Sequence, residues 1–205
     1  MEAYRGWAVL YCAVRRCVAS MLHDLDQTIR ALLDSELPPD LRDQTSVTFA
    51  TPDSHFPPSS VTLPAINLFL YDVVENRELR ESTRGWIPDG DSRFTRRYEP
   101  IFVSCHYLVT AWARDEAPSP EQDEHRILGA ALLALCRHRV LPSAILRGSL
   151  VSNEHILRAR PLEPGRLGSP GEFWQALGGK PRPFFNYEVS VSTELFAPEV
   201  STAGV

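Results

Sequence analysis

The sequence has no apolar run approaching the roughly 18–20 residues of a membrane-spanning helix, so no span is expected. It has no C-x-x-C pair. Cys12, Cys17, Cys105 and Cys136 stand apart or inside apolar runs, which excludes the usual zinc spacings. Reduced thiols are expected, two of them as small hydrophobes. There is no excess of positive charge: the formal net charge is −5, so no general nucleic-acid surface is indicated. No nucleophile elbow, phosphate loop or dinucleotide fingerprint occurs, and no internal repeat. No two of the six histidines are spaced as a helical ligand pair, so no metal and no cofactor are expected. Glycine is scarce beside proline, 11 against 17, which implies many stiff connections.

What is present suits one globular domain. The 205 residues are 43% hydrophobic and 23% charged. Residues 7–14 (WAVLYCAV) are apolar but are followed by Arg15-Arg16, whereas a secretory signal carries its charge before the apolar run. Residues 1–20 are therefore read as an N-terminal extension, 21–196 as the domain and 197–205 as a loose tail without pattern.

Residues 64–76 (PAINLFLYDVVEN) form the longest run built as a buried strand. Ile66, Leu68 and Leu70 share one face, Phe69 and Tyr71 the other, which suits a central strand covered on both sides. Asn67 is an inner polar position that needs a partner. Before this strand, residues 21–33 read as an amphipathic helix with Leu22, Leu25, Ile29, Leu32 and Leu33 on one stripe. Asp24, Gln27, Thr28 and Arg30 lie off that stripe. Residues 46–50 alternate as a half-exposed strand. Residues 100–113 (PIFVSCHYLVTAWA) are a second core strand, expected to lie antiparallel to the first. Ser119, Pro120 and the acids after them open a helix over 122–139. Residues 156–161 suit a short strand, 173–177 a helical turn, and 184–195 (FFNYEVSVSTEL) a strand with one polar face. The expected fold is α+β: a single mixed or mainly antiparallel sheet with helices packed on it.

The segment 75–99 carries Arg77, Arg80, Arg84, Arg93, Arg96 and Arg97 against Glu75, Glu78, Glu81, Asp89, Asp91 and Glu99. This balance is wrong for a phosphate-binding patch. Turn residues such as Pro88-Asp89-Gly90 divide it. The segment is expected to form a projecting loop or hairpin for contacts with a partner, with Trp86 at its middle as an anchor. Elsewhere, His23-Asp24 reads as a solvated polar face rather than an acid/base pair. His106 reads as a core histidine, and Glu75 with Arg77 as a structural ion pair. Trp112 and Trp174 could also be anchors, with core packing the plainer reading for Trp112. No catalytic site is visible.

The order of these blocks resembles a known family. It comprises the helix at 22–33, PAINLFLYDVVEN with Arg80 after it, YEPIFVSCHYLVTAWA, the helix with HRILGAALLAL and the VLP of 140–142, and FWQALGGKPRPFFNYEVSVS at 173–192. The sequence is similar to the cap, or tail-terminator, proteins of extracellular contractile injection systems, the phage-tail-like particles of bacteria. The resemblance covers roughly residues 21–196; some family members continue into a further C-terminal region. It implies a small α+β fold like that of phage terminators, and a structural protein rather than an enzyme. It also implies a homohexameric ring that meets the last tube and sheath layers at the end distal to the baseplate. Such a protein would be assembled in the bacterial cytoplasm and then kept in the particle. Two other classes remain open: a monomeric adaptor or assembly chaperone of such a particle, and a small hydrolase using His106 or Asp72.

Overall fold

The computed structural model describes residues 20–79, 87–88, 93–96, 98–196 and 199–202. In chain order the elements are α1 (residues 20–36), α2 (Pro39–Arg42), β1 (Ser46–Thr48) and β2 (Ala65–Glu75). Next come β3 (Ile87–Pro88), β4 (Arg93–Arg96), β5 (Ile101–Trp112) and α3 (Pro120–Cys136). The chain then forms β6 (Arg158–Pro161), α4 (Pro170–Ala176), β7 (Phe184–Thr193) and β8 (Glu199–Thr202). Five strands make the main sheet in the order β1-β2-β5-β7-β6. The β1–β2 pair is parallel and the other three are antiparallel. The remaining strands make a second sheet, β3-β4-β8.

The sequence placed the central strand at 64–76, but the middle position belongs to β5. Its odd residues Cys105, Tyr107 and Val109 meet the α1 and α3 side, and Leu108 and Thr110 are buried on the other. β2 lies beside it, with Ile66 and Leu68 wholly buried. The pairing slips between Leu70 and Asp72, where Leu70 faces Tyr107 and Asp72 faces His106. One extra residue in β2 turns the strand's charged exit and keeps Tyr71 on the second face, near His106. Asn67 finds a partner: its amide donates to the Ala50 carbonyl at 3.0 Å.

Two layers cover the sheet. On one face α1 buries Leu25, Ile29, Leu32 and Leu33, and α3 buries Ile127, Ala131, Ala134 and Leu135. α3 ends at Cys136, so Arg137 and His138 fall just past it and reach Glu36 at 3.4 and 3.0 Å. Ser119 stands at its N-cap without a side-chain capping bond. On the other face Phe173 meets Phe69, Trp174 is buried, and the 51–63 loop sets Phe56 against Trp112, ring centres 4.1 Å apart. The polar side of β7 is not solvated: Glu188, Ser190 and Ser192 are all buried. Ser190 is buried against Ser104 at 3.3 Å, and Asn76 donates to Ser104 at 3.1 Å. Residues 197–205 carry no sequence pattern, yet 199–202 pair with β4, with Glu199 opposite Arg96 and Val200 opposite Thr95.

α1 also corrects the sequence reading. Asp24 is only 8% exposed, and Thr28 is buried. Four residues apart, they share a second stripe that receives the turns at 147–149. Arg147 N donates to Thr28 Oγ1 at 3.0 Å, and Ser149 gives both its N–H (3.0 Å) and its hydroxyl (2.6 Å) to Asp24 Oδ2. Gly148 sits at φ 55°, and a Cβ there would lie 2.2 Å from Asp24 Oδ1. Burial tends to raise the Asp24 carboxyl pKa, but the bonds from Ser149 and Ser20 hold it below its ordinary value. Two residues on, at the opposite side of the helix, Asp26 accepts from Tyr107 at 2.9 Å, and burial raises its carboxyl pKa.

Asp24 carries a folded-state pKa below its unfolded value. Its contribution to stability is therefore present above the unfolded value and is lost as pH falls through the folded one. Asp24→Asn should cost about 1.5–3 kcal/mol near neutral pH, the range for hydrogen bonds to a charged group. The gap between variant and wild type should narrow in acid. Denaturant midpoints at both conditions check this; equal midpoints near neutral pH would show that the clasp contributes nothing.

Candidate interaction surface

The main strands converge at one end of the molecule, where β2 and β7 finish and β5 begins. The charged segment leaves and returns there, and part of it forms the hairpin β3–β4, with Ile87 opposite Thr95 and Pro88 opposite Phe94. β8 adds to the hairpin's other strand. This meets the expectation of a hairpin and shows what holds it: a strand from the far end of the chain.

Arg77 follows β2 in a short 3-10 turn. Its side chain is 82% exposed and pairs with Glu75 at 3.2 Å, a surface contact of small energetic weight. Arg96 ends β4 with its guanidinium 5.2 Å above the Tyr98 ring, and Tyr98 in turn lies 5.0 Å from Phe196. This Arg–Tyr–Phe stack borders a recess of about 290 Å³ shared with Glu75, Asn76, Ile101 and Phe102. Arg93 opens β4. Arg80, Arg84, Trp86 and Arg97 lie outside the described residues.

Exposed apolar side chains gather at this same end. Phe196 of the stack is exposed, as are Leu195 before it, Phe94 in β4 and Val73 near the end of β2, and Leu22, Val151 and Ile156 are exposed on α1 and the 148–156 turns. Asn153 ties those turns to the end of β7, donating to Ser192 O at 2.9 Å and accepting from the Ser192 hydroxyl at 2.7 Å. An apolar cluster beside arginine and aromatic rings has the composition of an interface centre. The sequence did not single out Phe94, Tyr98, Leu195 or Phe196. The available signal was three aromatics and a leucine placed outside the long core strands, where a buried role is not forced.

The residues with chemical potential lie elsewhere and do not converge. His106 is 8% exposed, with Nε2 unpartnered. Asp72, opposite it in the register, pairs with Arg166 at 2.8 Å. Trp112 and Trp174 are buried packing residues. Among the described residues no group of three His, Cys, Asp or Glu side chains could hold a metal ion. No described helix is long and apolar enough to cross a membrane.

The fold is α+β, a five-stranded mixed sheet with helices packed on it. The chain belongs to the family of the Pvc16 N-terminal domain, whose model it matches over residues 24–204. Two solved structures are similar. One is the sheath/tube terminator of PVC, an extracellular contractile injection system, in its extended state. It is 24% identical, with a TM-score of 0.63, over 89% of this chain and 59% of that one. The other is the tube-terminating cap of the anti-feeding prophage, 25% identical, with a TM-score of 0.56, over 81% and 52%. The chain thus spans between half and two thirds of either relative. No curated protein matches it.

Phe196 is 56% exposed. Phe196→Ala should therefore cost about 1 kcal/mol or less, the weight of one aromatic pair, as read from a denaturation midpoint. A loss as large as a core truncation would show that the ring holds the fold together instead of facing a partner.

Proposed function

We propose that this chain is the structural cap, or tail terminator, of a bacterial contractile injection system. In this reading it forms a homohexameric ring that meets the last layers of inner tube and sheath at the baseplate-distal end and stops their growth. The observation that carries the reading is the family match along residues 24–204, joined by likeness to a tube-terminating cap. The geometry supports it. Stacked rings make heterologous contacts that continue until a subunit matches one face and offers none for the next. One end of this fold gathers exposed apolar, aromatic and arginine side chains, as a docking face requires. The role asks for no catalysis, and the module acts by shape and charge.

Within that reading the charged segment 75–99 carries much of the contact, through Arg77, Arg80, Arg84, Trp86, Arg93, Arg96 and Arg97. Balanced charge suits a mixed partner surface, where complementarity sets register. Arginine can pair a carboxylate at two points. The test is electron microscopy of particles from cells that lack the gene, or carry Arg93→Glu, Arg96→Glu and Arg97→Glu together. The deletion should give few complete particles, or tubes and sheaths of irregular length. Uniform full-length particles without the gene would end the terminator reading. Normal particles with the triple reversal would end only the assignment to this segment.

A further inference from the structure

Two separate places on the fold carry opposite charge: the β6 margin of the main sheet and the strand end where β2 starts and β5 stops. At the β6 margin Arg139 and Arg158 are exposed and Arg160 is half-buried. None of the three has a carboxylate partner among the described residues. Val140, Ile156 and Leu162 are exposed beside them. The backbone of this margin is already closed, because Leu141 N donates to Leu157 O at 3.0 Å and Ala159 N to Arg139 O at 2.9 Å. A neighbour must therefore dock here through side chains and not as an added strand.

At the strand end, a cleft of about 320 Å³ opens where β2 starts and β5 stops, with Leu41, Pro64, Ala113, Ala117 and Ile127 in its lining. Acids crowd its rim: Glu116 and Asp123 line it, with Asp40, Asp43, Asp115 and Glu121 close by in the chain. The arginines there are engaged. Arg126 lies 3.8 Å from Asp40 and 3.6 Å from Asp123, Arg42 lies 3.2 Å from Asp43, and Arg114 donates to Leu63 O at 3.0 Å. Asp115, Glu116 and Glu121 have no basic partner among the described residues. Glu121 suits the first turn of α3. Asp115 and Glu116 precede the helix, so its dipole gives no reason for them.

We infer that these two places dock on each other between copies of this chain, the arginine-bearing β6 side of one against the acidic cleft of the next. The inference rests on the ring reading and names the contact that would close the ring. A second copy is the occupant because both halves of the complementary pair are on one chain, at two separate places: the β6 edge of the sheet and the strand end after β5. Two different patches meeting in this way make a heterologous contact, the kind that generates a ring when the rotation closes. The apolar side chains between the arginines and the apolar lining of the cleft supply burial, and the charges set the register.

The test is native mass spectrometry of the full chain with two charge reversals, Arg139→Glu with Arg158→Glu, and Asp115→Arg with Glu116→Arg. All four positions are exposed, so circular dichroism should match the wild type. The wild type should give a ring, and each reversal alone should lower the ring fraction at least tenfold. An equimolar mixture of the two should restore a ring containing both in equal number. A ring that persists in either reversal alone, or folded variants that stay monomeric when mixed, would overturn this contact and leave the cap reading standing. Reversals that keep the ring but lose docking to particles would assign the margin to another protein and overturn it equally. A monomeric wild type would overturn the ring and this contact together. If a variant loses its wild-type dichroism, salt decides: a wild-type ring that dissociates as salt rises supports the contact, and one indifferent to salt overturns it.

Discussion

The paired length of β2, β5 and β7 constrains the rest of the molecule. β5 has 12 residues in its strand, which at about 3.3 Å per residue spans roughly 40 Å. α3 has 17 residues, about 25 Å at 1.5 Å per residue. A helix layer of that length cannot cover such strands from end to end. Beyond that end the chain forms a second, separate sheet drawn from the charged segment and residues 199–202. The apolar and aromatic side chains left showing there follow from the same mismatch.

The covered part is held by burial with a few polar clasps. Asp24 and Thr28 take the N–H groups of the 147–149 turns, and Asn153 ties the following turn to β7. These bonds fix α1 and the turns to the sheet without a charged pair in the core. Rigid placement matters for a subunit that must present both charged places and the exposed end in fixed relation. In the proposed ring, opposite charge at the β6 margin and at the acidic cleft gives side-by-side neighbours a direction, while the exposed end faces another layer. A cap needs both relations at once.

Much of this was readable in the sequence wherever periodicity was strong. Alternation in FFNYEVSVST gave β7, the run at 101–112 gave β5, and the 25–29–32–33 stripe gave α1. Other features depend on partners distant in the chain, and one-dimensional patterns do not carry those. Asp24 looked solvated because its partner, Ser149, is 125 residues away. Residues 199–202 looked patternless because a four-residue edge strand needs only a neighbour, here β4. The bulge at Tyr71 leaves no mark in PAINLFLYDVVEN, since it shows only in the pairing with β5. Of the proposed contact residues, Arg77 lies in the turn after β2 and Arg96 ends β4. Their aromatic companions Tyr98 and Phe196 became visible only through the stack.

The most direct measurement of the central claim is the position of this chain on intact particles. A particle assembled with an epitope-tagged copy can be labelled with gold and viewed by electron microscopy. The account predicts label at one end only, the end opposite the baseplate. Label along the sheath, at the baseplate, or absent from purified particles would contradict it.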